Sequence, residues 1–200
     1  MIKSTVPLVL ASQSPRRVAL LTQIGLEFTI QPSNIEETIH SDLSYEQNVQ
    51  TLALHKAENI ARINTTGVIL GSDTIVVIDN EVLGKPLSPA EARSMLRQLS
   101  GKTHSVYTGF AFVDAGTKKS YIDSEKTEVT FRSLTDREIV EYVNSGSPMD
   151  KAGAYGIQDD FGAVFVERIL GDYYTVVGLP LSKVYRTLTT FLNELGYIQG

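Results

Sequence analysis

Apolar and polar positions along this chain follow two rhythms, and each change of rhythm marks an element. Leu8-Val9-Leu10-Ala11 is a short apolar run; Ser12-Gln13-Ser14-Pro15-Arg16-Arg17 follows, and then Val18, Leu21 and Ile24 recur at helical spacing. This predicts a strand, a tight loop and a helix, with Ser14 at the N-cap and Pro15 at the first helical position. Gly25 closes the turn, residues 28–30 read as a strand, and Pro32-Ser33-Asn34 breaks it. Ser44-Tyr45-Glu46-Gln47 is a capping box, so a second helix begins there. Its apolar stripe is Val49, Leu52, Ala53, Ala57 and Ile60, with Lys56 standing in the i+7 position.

A β-branched run covers residues 68–78, as expected of a strand buried on both faces, and Asp73 interrupts it. Asp79-Asn80-Glu81 is a turn, and Val82-Leu83 returns as the second strand of a hairpin. Ser88-Pro89-Ala90-Glu91 is another capping box with proline at the first helical position, and Gly101 ends that helix. Residues 105–113 and 119–131 read as long strands joined through Asp114-Ala115-Gly116-Thr117. Thr135 caps a short helix carrying Ile139, Tyr142 and Val143. Residues 150–158 read as a glycine-rich loop and residues 163–169 as a strand. After a glycine-bounded segment, residues 171–178, Leu179-Pro180 opens a last amphipathic helix.

Helices and strands intermingle without a strict βαβ rhythm. The expected class is α/β: an elongated, mixed, twisted sheet flanked by helices, with a deep cleft where Ser12, Asp73 and Lys85 converge. The 200 residues suit one domain, residues 1–200, built as two lobes around that cleft.

Composition narrows the chemistry. The chain lacks cysteine, which excludes disulfides and thiolate metal sites. His40, His55 and His104 share no ligand spacing, which argues against zinc. The net charge of −5 and the absence of a basic stripe disfavour a nucleic-acid partner. No apolar run is long enough to cross a bilayer and the N-terminus lacks a signal-peptide core, so a cytoplasmic location is the expectation.

Several residues stand out against this background. Ser12, Ser14, Arg16 and Arg17 cluster at a helix N-terminus, where free N–H groups, hydroxyls and guanidinium groups suit an anion such as phosphate. Lys56 lies on an inward stripe, where an ammonium is costly without a partner. It either snorkels to the edge or points at a bound phosphate. Asp73 in a buried strand calls for a cation, a metal or a proton-transfer task, against the alternative of capping a turn between two strands. Lys85 has its backbone specified by Gly84 and Pro86. In residues 150–158 a cation, the Tyr155 ring and the Gln158 amide form a set that could stack on and hydrogen-bond a base. Glu36 and Glu37 read locally as a solvated acidic turn.

Taken in order, Ser12-Gln13-Ser14-Pro15-Arg16-Arg17, Gly71-Ser72-Asp73-Thr74-Ile75-Val76, Gly84-Lys85-Pro86, Leu99-Ser100-Gly101-Lys102-Thr103-His104, residues 150–158 and Val177-Gly178-Leu179-Pro180-Leu181 resemble the motifs of the Maf family. These are house-cleaning nucleoside triphosphate pyrophosphatases, also described as septum formation inhibitors. The resemblance runs from about Leu8 to the last helix. It implies hydrolysis of a nucleoside triphosphate to the monophosphate and pyrophosphate, a divalent metal (Mg2+ or Mn2+), and a fold related to the inosine triphosphate pyrophosphatases. It also implies a homodimer. Asp73 matches the family's proton acceptor, and Ser12, Arg16, Arg17, Glu37, Lys56 and Lys85 match its active-site cluster. Arg16, Thr74 and Gln158 have the identities of the subfamily acting on dTTP and UTP rather than 7-methyl-GTP. Ser72 stands where alanine is frequent.

The chemistry is consistent with this resemblance. Phosphoryl-type transfer is mostly positioning and charge stabilisation. Asp73 can take the proton of an attacking water, and the cations can neutralise the phosphates. Magnesium takes hard oxygen ligands and one or two protein carboxylates, for which Glu37 and Asp73 are the candidates. The division of Asp73 between base and metal ligand stays open on the sequence. The competing expectation is a non-catalytic nucleotide sensor that acts on cell division through a partner.

Overall fold

The computed structural model describes residues 2–158 and 161–198. The chain forms two compact units: Met1–Asp73, Thr108–Glu125 and Gly178–Gly200 make up the first, and Thr74–Tyr107 with Lys126–Val177 the second. The elements in chain order are β1 (Leu8–Leu10), α1 (Pro15–Gln23), β2 (Thr29–Ile30), α2 (Tyr45–Ala61), β3 (Val68–Ile78), β4 (Glu81–Leu83), α3 (Pro89–Leu99), β5 (Thr103–Asp114), β6 (Ser120–Phe131), α4 (Asp136–Asn144), β7 (Val166–Leu170), α5 (Tyr173–Val177) and α6 (Leu181–Glu194). The sheet order is β2-β1-β3-β5-β6-β7, with β4 paired to β3. The mixed α/β sheet with flanking helices is the architecture expected from the pattern. Among the described residues, no helix is long and apolar enough to cross a membrane.

In the first unit β1 pairs parallel with β2 and with β3, in register Val9↔Thr29 and Val9↔Ile69. Parallel neighbours need a crossover, and α1 and α2 supply the two. Helix α2 begins at the expected capping box: Ser44 Oγ accepts from Gln47 N–H while Gln47 Oε1 accepts from Ser44 N–H. Its small residues Ala53 and Ala57 pack with Val9, Ile69, Ala111 and Val113. Two strand glycines let the helix lie directly on the sheet. A Cβ at Gly71 would stand 2.0 Å from Ala53 O, and one at Gly109 2.3 Å from Val49 O. Neither position has room for any side chain.

In the second unit the β3–β4 hairpin turns on Asp79 and Asn80, both at positive φ (51° and 64°), which matches the twist of the flanking strands. Helices α3 and α4 bury Leu96, Leu99, Ile139, Tyr142 and Val143 in one core with Val76, Val106, Val129 and Phe131. The capping box at Thr135 forms in full, whereas that at Ser88 forms by half. Glu91 Oε2 accepts from Leu87 N–H, one residue outside the expected partner.

One expectation needs correction. Residues 163–169 are not one strand: a 3₁₀ turn, Phe161–Phe165, precedes β7. The turn sets Phe161 and Phe165 edge to face at 5.8 Å and lets Phe165 enter the core against Phe131 and Tyr142, a gain that outweighs continuing the strand. The glycine-bounded segment after it forms the short helix α5, where Asp172 Oδ2 accepts from Thr175 N–H at 2.6 Å.

The two glycine contacts give a direct test. Gly71→Ala should destabilise the protein by about 3 kcal/mol or more, the upper range for overpacking, because backbone rather than a flexible side chain stands in the way. Gly84→Ala, whose Cβ meets nothing within 4 Å, should shift the denaturant midpoint little. Equal midpoints for the two variants would contradict the close approach of α2.

Candidate active site

The first unit gathers a charged cluster around Lys56. The inward stripe of α2 carries this lysine over β3, where Asp73 sits in the middle of an otherwise apolar strand. Lys56 Nζ donates to Asp73 Oδ1 at 2.5 Å and to Glu37 Oε1 at 2.6 Å. The Lys56 and Asp73 side chains are 7 % and 8 % exposed, while Glu37 is 44 % exposed. Snorkelling is therefore ruled out, and so is the turn-capping reading of Asp73, since β3 runs unbroken through it. One buried ammonium is shared by one buried and one open carboxylate. Burying these charges is tolerable only because they satisfy each other.

The loop that brings Glu37 to this ammonium lacks regular structure, and helix α2 holds it by side chains. Asn48, buried, accepts from His40 N–H at 2.7 Å and donates to the carbonyls of His40, Leu43 and Ser44. Ser33 Oγ bonds Asn59 Oδ1, and Asn64 Nδ2 donates to Gln31 Oε1. Asn48 escaped notice in the sequence. It precedes Leu52 by one helical turn, so a polar residue at an inward position was the available signal.

The loop before α1 brings hydroxyls and a guanidinium group together at the start of the helix. Pro15 occupies the first helical position and Ser14 the N-cap position, but the Ser14 side chain makes no capping hydrogen bond. Instead Ser14 N–H donates to Ser12 Oγ at 3.2 Å, and Arg17 Nη1 donates to the same oxygen at 3.1 Å. Arg17 is buried, and its Nε donates to Gly178 O at 2.9 Å, so this arginine organises the loop as well as charging it. Burial pulls the Arg17 pKa below its ordinary value; the nearby Asp73 and Glu37 oppose that shift and Arg16 adds to it. The arginine end and the Lys56 cluster thus share one electrostatic field. Ser72, wholly buried, donates from Oγ to the same Gly178 carbonyl at 3.3 Å, a use for its hydroxyl that its identity alone did not reveal. Arg16 is half-buried.

Thr74, Lys85 and Gln158 belong to the second unit. Thr74 is half-buried on β3, and Lys85 is exposed. Gly84 O accepts from Gly153 N–H at 3.1 Å, which ties the Lys85 segment to residues 150–158. Those residues are not a surface loop. Lys151 is buried, and its Nζ donates to Ser147 O and Oγ and to Asp150 Oδ1. Tyr155 is buried too, edge to face with Phe131 and hydrogen-bonded to His104. The expectation that its ring stacks on a base is overturned, because burial in the apolar core is worth more to the ring than an open face. Gln158 is different: its Nε2 is buried and has no hydrogen-bond partner among the described residues.

The comparisons with known proteins come to bear on this geometry. A family model described as Maf-like protein matches residues 7–191. A protein of Bacillus pumilus (strain SAFR-032) is 51 % identical over 92 % of this chain and 96 % of its own length. One of Moorella thermoacetica (strain ATCC 39073 / JCM 9320) is 52 % identical over 92 % of this chain and 94 % of its own. Both are named dTTP/UTP pyrophosphatase. Among solved structures, a HAM1 protein from Coxiella burnetii superposes with a TM-score of 0.55 at 19 % identity, covering 92 % of this chain and 99 % of that one. That likeness shows a shared fold.

The buried His104 ring makes a pH prediction. Burial lowers its pKa from 6.5 to about 4, so the unfolded chain binds the extra proton first as pH falls. The stabilisation from the neutral ring is complete above pH 6.5 and is lost as pH falls toward 4. Unfolding free energies of wild type and His104→Gln across this range should diverge, the wild type losing up to about 3 kcal/mol more. Parallel curves would remove His104 from that role.

Proposed function

The chain belongs to the Maf family, and from that premise we propose that it hydrolyses nucleoside triphosphates, dTTP and UTP foremost, to the monophosphate and pyrophosphate. Its activity clears surplus or modified pyrimidine nucleotides from the pool. Relatives at about half identity carry the name of this activity. The single observation that carries the reading is the buried Lys56 ammonium shared by Asp73 and Glu37. A site that only bound a triphosphate would gain nothing from two carboxylates beside four negative charges.

The step is a displacement at the α-phosphorus. A water oxygen forms the new bond, the bond from that phosphorus to the oxygen bridging to the β-phosphorus breaks, and pyrophosphate leaves. Lys56 occupies Asp73 Oδ1, so Oδ2 accepts the water proton. Ser12, Ser14, Arg16 and Arg17 bind phosphate oxygens, the Ser12 hydroxyl donating its hydrogen while its oxygen stays with Arg17. Lys85 adds a further cation for the departing pyrophosphate. Arg16, Thr74 and Gln158 select the base, with the unpartnered Gln158 N–H donor suited to a carbonyl oxygen of uracil or thymine.

Glu37 and Asp73 also suit a divalent cation. They are hard carboxylate donors held side by side by Lys56 Nζ, in the number that magnesium takes from protein. Bound there, magnesium or manganese supplies charge neutralisation for the triphosphate. With Oδ1 of Asp73 on Lys56, Glu37 is the carboxylate that can serve the cation without giving up proton transfer.

Pyrophosphate release should be measured from dTTP, UTP, 7-methyl-GTP and ITP, with and without magnesium. Metal-dependent release from dTTP and UTP is expected, and Asp73→Asn should reduce it by at least ~10²-fold while keeping the fold. Release mainly from 7-methyl-GTP would overturn the base assignment. Nucleotide binding with no release would turn the reading to a sensor.

A further inference from the structure

Gln158 ends a segment whose backbone is clamped by aromatic hydroxyls of the second unit. Gly153 and Ala154 both take positive φ, 69° and 59°, and reverse the chain. There is no freedom at this bend: a Cβ at Gly153 would stand 3.0 Å from both Val76 Cγ atoms, and Ala154 is wholly buried. The reversal sends Tyr155 inward, where its hydroxyl meets His104 Nε2 at 2.8 Å. At the next residue, Gly156 N–H donates to the Tyr142 hydroxyl at 3.2 Å. Two residues further, Gln158 holds its buried, unpartnered amide nitrogen.

We propose that Tyr142, assisted by the His104–Tyr155 pair, is a positioning residue that aims the Gln158 amide at the pyrimidine base. This rests on the reading of Gln158 as the residue that meets the base. The physical ground is the following. A glutamine side chain has three rotatable bonds, so its donor is placed only as well as the backbone that carries it. Here that backbone is fixed two and three residues earlier, by one hydroxyl on Gly156 and one buried phenol–imidazole bond at Tyr155. The Tyr142 ring packs in the core, edge to face with Phe165 at 5.1 Å. Phenylalanine would fill the same space but lose the hydroxyl that accepts from Gly156 N–H. A buried amide N–H left unmet is costly, and a base carbonyl on a well-aimed Gln158 recovers that cost.

The test compares UMP with CMP, which differ at the carbonyl and amino groups of the base edge. Their affinities are read by titration calorimetry on wild type, Tyr142→Phe, Gln158→Ala and the double variant, with kcat for UTP measured alongside. Gln158→Ala should collapse the UMP preference. Tyr142→Phe should lower it about tenfold, as a displaced contact does, with a smaller change in kcat. Adding Tyr142→Phe to Gln158→Ala should change nothing more. If Gln158→Ala erodes the preference and Tyr142→Phe does not, the positioning role is wrong and the Gln158 reading stands. Additive losses in the double variant also overturn the positioning role. If Gln158→Ala leaves the preference intact, both fall. Should Tyr142→Phe fail a thermal-melt check, Tyr155→Phe, which breaks the bond to His104, is judged by the same criteria.

Discussion

A buried ammonium must have partners, and the architecture of the first unit follows from supplying them to Lys56. The lysine reaches Asp73 because α2 lies on the sheet at backbone distance. That approach exists because positions 71 and 109 are glycine and the facing helix residues are small. A methyl group at either glycine would separate the helix from the strand. The same helix then holds the loop of Glu37 through Asn48 and Asn59, and Asn64 just past its end adds a third bond. One helix therefore sets the cation, both carboxylates and the distances among them.

Such a cluster is a poor device for stability. Taking Lys56 and Asp73 out of water costs more than their attraction returns unless the geometry is close and further hydrogen bonds are made. Apolar residues of similar volume on the same stripe would pack as well. Its presence in the middle of an otherwise apolar strand is thus a chemical statement. Arg17 follows the same logic: burial opposes its charge, Asp73 and Glu37 restore it, and Gly178 and Ser12 take its donors.

The division of the chain falls within β3. Asp73 ends one stretch of the first unit and Thr74 begins the second. The charged side chains of Arg17, Glu37, Lys56 and Asp73 gather with Ser12 in the first unit. The Gln158 segment belongs to the second, whose buried Tyr155, His104 and Tyr142 give a loop-like sequence the rigidity of a core.

What the sequence by itself determined was local. The capping boxes at Ser44 and Thr135, proline at the first positions of α1 and α3, the β-branched run of β3 and the Asp79-Asn80 turn each carry their own signal within a few residues. Lys56 and Asp73 were legible because a charge in an apolar pattern is costly enough to demand a reason. The tertiary structure alone decided the pairings. It placed Arg17 on a carbonyl 161 residues away, gave one ammonium to two carboxylates, and drew Tyr155 into the core rather than leaving it open to a base. It also broke the expected strand at residues 163–169 to bury Phe165. These outcomes depend on which distant groups meet and on how much water they lose, and no short-range periodicity records either.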